Sequence, residues 1–129
     1  MAPAPLIGII DDSEGYRGAL DRLLRSAGYR TILFESADAF LISTWKDEPD
    51  CLILDHQMPG TTGLELARRL TAMNYSAPFI MVSVDAEDLR EAALEAGAAA
   101  VCSKRVSPDG LLDAIRVALE TLEARRANC

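Results

Sequence analysis

The chain is short of the residues that staple, anchor or charge a protein for a special environment. It has three cysteines, one histidine and 5% aromatic residues in 129. Cys51, Cys102 and Cys129 are an odd number with no close pair, so neither a disulfide framework nor a zinc site is indicated. Cys51 and Cys102 fall in apolar runs and read as small buried hydrophobes, which fits a reducing cytoplasm. Positive charge is scarce too: 13 Lys and Arg face 20 Asp and Glu, for a formal net charge of −7. A nucleic-acid binder needs a basic face, and only short pairs such as Arg68-Arg69 and Arg125-Arg126 occur, so no direct nucleic-acid contact is expected. No run approaches the ~20 apolar residues of a membrane span. Met1 to Pro5 has no basic start, so neither a signal peptide nor a membrane segment is expected.

What is present is ordinary globular material, 50% hydrophobic and 26% charged, long enough to bury a core without disulfides. No linker or low-complexity segment divides it, and residues 1–129 read as one domain. Apolar runs alternate with helical periodicities. Leu6–Ile10, Thr31–Phe34, Cys51–Leu54, Phe79–Val82 and the weaker Ala98–Cys102 read as buried strands. From Ser13 to Ala27, Tyr16, Ala19, Leu20, Leu23, Leu24 and Ala27 recur at spacings of three and four, a helix face that Gly28 ends. Ser36 can cap a helix carrying Ala37, Phe40, Leu41 and Trp45, with Phe40 and Trp45 as packing residues. A third helix carries Leu64, Leu66, Ala67 and Leu70, and a fourth runs from Leu89 to Ala96. Ser107-Pro108 opens the last, with Leu111, Leu112, Ile115, Ala118, Leu119 and Leu122 on its face. Five repeats of strand then helix call for a doubly wound α/β fold, a parallel sheet covered on both faces.

In such a sheet all carboxyl ends of strands share one edge, where ligands bind. Asp11 and Asp12 follow Ile10, Asp55 follows Leu54, Ser83 follows Val82, and Lys104 comes two residues after Cys102. Each alone has a plain explanation: Asp11 and Asp12 as helix caps, Asp55 as a turn residue, Lys104 as a solvated side chain. Together they put three acids, a hydroxyl and an ammonium on one rim. Like charges ~4 Å apart repel by about 4 kcal/mol at an effective dielectric of 20. A proton or a cation must relieve that repulsion, and hard oxygen ligands suit Mg²⁺. With the charge offset, an Asp oxygen can attack phosphorus, while the lysine and hydroxyl contact phosphoryl oxygens.

The strings IIDDS (Ile9–Ser13) and LILDHQMPGTTGLEL (Leu52–Leu66), with the spaced Ser83 and Lys104, resemble the receiver domain of bacterial two-component response regulators. The resemblance runs from Leu6 to about Ala124, and FESADAFL (Phe34–Leu41) is similar to the nitrogen-fixation-type regulators. It implies a five-stranded parallel sheet in the flavodoxin-like order 2-1-3-4-5. It implies Asp55 as phosphoacceptor from a sensor histidine kinase or phosphotransfer protein, in the cytoplasm. Mg²⁺ would be held by Asp12 directly, Asp11 through water, Asp55 and the Gln57 backbone carbonyl. Ser83 would move towards the phosphoryl group and Lys104 would pair with it. Gly60 and Gly63 would let the loop turn tightly. A homodimer would use the fourth helix, fifth strand and last helix.

Three positions depart from the family pattern. Val84 replaces the small residue after the switch hydroxyl and would narrow access to Asp55. Val101 replaces the usual Tyr or Phe, removing a ring that swings between two positions. Arg105 replaces the proline after the lysine; a non-proline cis bond costs about 2.5–4 kcal/mol, so a trans bond or an unusual strain is expected. His56 follows the nucleophile, but alternation turns adjacent side chains apart, so packing or surface exposure is expected rather than catalysis. Gln57 and Asp85 sit where receivers tune loss of the phosphoryl group. The competing readings are an interaction module acting without phosphate and, further off, an Asp-nucleophile phosphatase. The latter lacks an Asp-x-Asp pattern here, and no multiple-turnover enzyme is expected.

Overall fold

The computed structural model describes residues 3–105 and 107–127, so Cys129 lies outside the described residues. Five strands, β1 (Leu6–Ile10), β2 (Arg30–Phe34), β3 (Cys51–Asp55), β4 (Phe79–Ser83) and β5 (Ala100–Ser103), pair in parallel in the order β2-β1-β3-β4-β5. Five helices alternate with them: α1 (Glu14–Ser26), α2 (Ala37–Ile42), α3 (Gly63–Ala72), α4 (Ala86–Glu95) and α5 (Pro108–Ala127). The expected fold class and strand order are those of the structure.

The period of two along each strand sorts the core into two layers. Leu52 and Leu54 of β3 join Phe40, Leu66, Leu70 and Leu89 under α2, α3 and α4. Cys51 and Ile53 point the other way, to Leu20, Leu24, Leu111 and Ile115 under α1 and α5. β3 is buried at all five positions, as a central strand covered on both faces must be. Leu54→Ala would remove a fully buried side chain at a cost of about 2–5 kcal/mol.

The helix starts follow from caps. Ser13 accepts the Tyr16 N–H, and Ser36 accepts the Ala39 N–H. Thr62 and Glu65 form a reciprocal capping box at α3. Pro108 is the first residue of α5, as expected, and the Ser107 carbonyl accepts the Gly110 N–H.

Some boundaries and packing roles differ from expectation. α2 stops at Ile42, because the Ser43 hydroxyl accepts the Trp45 N–H and offers the backbone an alternative to another helical turn. Trp45 is therefore 60% exposed and outside the helix, not a packing residue. Phe40 packs edge-on against Phe34 and Tyr75, as expected of a core ring. Ala19 and Ala27 are exposed, Cys102 is only half-buried, α4 begins three residues before Leu89, and β5 begins at Ala100 rather than Ala98.

Candidate functional site

The strand order reverses at β1, so the crevice between β1 and β3 opens at their carboxyl ends. Asp11 is 1% exposed there and is held from three directions. Its N–H bonds the Phe34 carbonyl at 3.1 Å, its Oδ1 accepts the Ser13 N–H at 2.7 Å, and its carbonyl accepts Arg17 Nη1 at 2.6 Å. Asp12 is exposed beside it. Asp55, also 1% exposed, ends β3, and its Oδ1 accepts the Gln57 N–H at 3.1 Å.

Gly60 and Gly63 shape the loop that follows, for different reasons. Gly60 has φ of +75°, a left-handed conformation that glycine adopts without strain. Gly63 is not in that region; a Cβ on it would lie 2.7 Å from His56 Cα and closer still to the Asp55 carbonyl oxygen. Its role is close approach rather than the tight turn expected of it.

Lys104 reaches back across the sheet edge. Its Nζ is 3.0 Å from Asp55 Oδ1 and 3.5 Å from Asp11 Oδ2, and its N–H donates to the Ser83 carbonyl at 3.0 Å. Ser83 is fully buried, and its hydroxyl accepts the Asp85 N–H at 3.1 Å. One carboxylate oxygen each from Asp11, Asp12 and Asp55 lies within 4.8 Å of the others. Asp11 Oδ2 is buried 3.5 Å from the Lys104 ammonium and makes no hydrogen bond among the described residues. Burial pushes the Asp11 carboxyl above its ordinary value, Asp55 adds repulsion, and the Ser13 N–H and Lys104 pull the other way.

Five sequence-predicted side chains, Asp11, Asp12, Asp55, Ser83 and Lys104, thus lie at the carboxyl edge of one sheet. The Gln57 backbone lies two residues past Asp55, with its N–H on the Asp55 carboxylate. His56 is half-buried, makes no hydrogen bond to Asp55, and leaves Nδ1 buried without a partner among the described residues. Val84 lines a shallow open cavity with Asp85, Asp88 and Ser103. Val101 is 5% exposed in the α2–α4 core layer, and the Lys104–Arg105 peptide is trans.

Sequence reasoning missed Tyr16 and two arginines. The apolar period of α1 accounts for Tyr16 only as a helix-face residue, whereas its ring centroid is 4.4 Å from Lys104 Nζ. Its hydroxyl is pushed up to about 12, first by burial and then by Asp11 and Asp55. Arg17 holds the Asp11 carbonyl, and Arg90 Nη1 donates to the Val101 carbonyl at 3.0 Å. The signal for Tyr16 was its place in the first turn of a helix that starts at the site edge.

The pattern for the response regulator receiver domain matches residues 7–116. The chain belongs to this family. The response regulator protein TmoT of Ectopseudomonas mendocina is 36% identical over 124 residues, covering 95% of this chain and 56% of its own. The transcriptional regulatory protein FixJ of Bradyrhizobium diazoefficiens is 32% identical over 118 residues, covering 91% and 58%. Among solved structures, the response regulator StyR superposes with a TM-score of 0.84 at 34% identity, over 97% of this chain and 64% of that one. FixJ-N gives a TM-score of 0.81 at 28% identity, over 93% and 96%. The chain spans just over half the length of these curated relatives. It is a receiver domain of two-component signalling, and no described helix is long and apolar enough to cross a membrane.

Proposed function

We propose that this receiver domain is a phosphorylation switch in which Asp55 takes a phosphoryl group from a phosphohistidine of a partner sensor kinase or phosphotransfer protein. The observation that carries this reading is Lys104 Nζ, 3.0 Å from the Oδ1 of Asp55, whose carboxylate clusters with those of Asp11 and Asp12. An Asp55 carboxylate oxygen forms the new P–O bond as the P–N bond breaks, and that electron pair goes to the imidazole nitrogen. Asp55 is suited to the attack because the Gln57 N–H and Lys104 both engage Oδ1 and fix the carboxylate's orientation. Lys104 then serves the charge on the phosphoryl oxygens, and Ser83 contributes a hydroxyl.

The residues present fit Mg²⁺: an all-oxygen set with one buried carboxylate oxygen that lacks a hydrogen bond among the described residues. Asp11, Asp12, Asp55 and the Gln57 carbonyl would hold the ion. Bound there, it supplies positive charge that offsets the carboxylates and the transferred oxygens. The protein is then a stoichiometric acceptor rather than a multiple-turnover enzyme. It acts in the cytoplasm, makes no direct nucleic-acid contact through this domain, and forms a homodimer through α4, β5 and α5 when phosphorylated.

Intact mass after incubation with Mg²⁺ and acetyl phosphate, or a phosphohistidine donor, tests the reading. One added phosphoryl group, abolished in Asp55→Asn, is expected. A folded protein that takes no adduct from any donor would refute it and favour a phosphate-independent interaction module. Repeated turnover of a phosphate ester would favour a phosphatase.

A further inference from the structure

We infer that Tyr16 is a positioning residue for Lys104: its ring face and the Asp11 and Asp55 carboxylates together fix where the ammonium points. This role rests on Asp55 being the phosphoacceptor. Lysine carries its charge on a flexible four-carbon stem with three rotatable donors, so holding it at one spot needs contacts on more than one side. Here the carboxylates lie at 3.0 and 3.5 Å, and the Tyr16 centroid lies 4.4 Å away. A cation over a ring face is attracted by the ring's quadrupole, more strongly when water is excluded, and the Lys104 side chain is only 15% exposed.

The backbone around Lys104 makes such a contact consequential. Arg105 follows across a trans peptide, so no proline ring stiffens the turn. The main-chain anchors are the Lys104 N–H on the Ser83 carbonyl and the Arg105 N–H on the Ser103 hydroxyl. Neither restrains the lysine side chain. Tyr16 can do so because it is itself rigidly placed. It sits in the first turn of α1, its N–H on the Ser13 cap, and its ring packs against the apolar layer that includes Leu20 and Leu111.

Two substitutions separate ring from bulk. Tyr16→Phe keeps the aromatic face, whereas Tyr16→Leu keeps apolar volume without it. With Mg²⁺ fixed and acetyl phosphate varied, Tyr16→Leu is expected to lower the maximal phosphorylation rate by about three- to tenfold with the half-saturating donor concentration unchanged. Tyr16→Phe is expected to stay within about twofold of the wild type. In NMR spectra, the ring-current shift of the Lys104 Cε protons should persist in Tyr16→Phe and vanish in Tyr16→Leu. Should Tyr16→Leu fail to fold by circular dichroism, Tyr16→Met serves the same comparison.

A leucine variant that matches the wild-type rate overturns the role of Tyr16 alone. So does a phenylalanine variant as slow as leucine, because the hydroxyl rather than the ring would then matter. A wild type that accepts no phosphoryl group overturns the Asp55 reading and this role with it.

Discussion

Gly63→Ala is the sharpest test of how the backbone presents Asp55. The added Cβ would sit 2.7 Å from His56 Cα, where carbons ordinarily rest about 3.5–4.0 Å apart. The start of α3 and the end of β3 must therefore separate by about 1 Å, against the 3.1 Å hydrogen bond from the Gly63 N–H to the His56 carbonyl. Overpacking of this kind costs about 1–3 kcal/mol, and replacing Gly by Ala in a helix returns up to about 1. The net range is roughly 0–3 kcal/mol, and because the close contacts are backbone atoms that cannot swing aside, a destabilisation of about 1–2 kcal/mol is expected, read in urea as a midpoint lower by roughly 0.5–1 M. Misplacing a reacting group by ~1 Å can cost about 100-fold in rate, so phosphorylation should fall further than stability does.

Gly15→Ala supplies the contrast. It too lies in the first turn of a helix, but beyond its chain neighbours and its own helix backbone no described residue stands within 4 Å of its added Cβ, so about 0.5–1 kcal/mol of stabilisation is expected. If Gly63→Ala is as stable and as quickly phosphorylated as the wild type, the close-approach argument is wrong. If both alanines destabilise equally, the effect belongs to helix starts in general.

Asp11→Asn should stabilise the protein without divalent ion, and only above acid pH. Its carboxyl is raised above 3.8 in the fold, so the folded state holds the proton more tightly. Below 3.8 it adds no charged-state penalty, and stability is lost as pH rises from there through the raised value. Urea midpoints across pH should show the variant's lead growing over that window and then levelling; a lead of constant size throughout refutes it. Mg²⁺ should raise the wild-type midpoint and not that of Asp11→Asn. Arg90→Ala should cost about 1 kcal/mol by thermal melting through its bond to the Val101 carbonyl. Glu87→Ala, whose side chain is 87% exposed, should cost almost nothing, and equal losses would undo the claim. Ser83→Ala should abolish the dimerisation proposed to follow phosphorylation; sedimentation showing unchanged dimerisation removes Ser83 from the route.

The fold was legible because its signals are redundant. Continuous apolar strands, helical spacing and the cap signals at Ser36 and Ser107-Pro108 agree on one alternation, and strand ends then locate the acids. Where a single local competitor decides, the sequence was a poorer guide. The Ser43 hydroxyl ended α2 and exposed Trp45, although Trp45 fits the helical spacing. Tyr16 satisfied the apolar period of α1, and periodicity cannot tell a ring in the core from a ring at the rim. Gly63 looked like a turn residue because no pattern in the chain reports how near two backbone segments will pass.

The same distinction bears on how a change at Asp55 reaches a distant surface. Receivers usually have an aromatic ring where Val101 stands, and this Val101 is packed in the core layer with its carbonyl tied to α4 by Arg90. A side chain that short and enclosed has no second position to occupy at small cost. Ser83 is differently connected. Its hydroxyl holds the Asp85 N–H at the start of α4, where no side-chain cap exists, and its carbonyl holds the Lys104 N–H. Any shift of Ser83 towards Asp55 must therefore pull on the first turn of α4 and on the lysine backbone together. The chain thus keeps a mechanical link between the acid and the α4 surface without the ring, one made of two hydrogen bonds on a single buried serine.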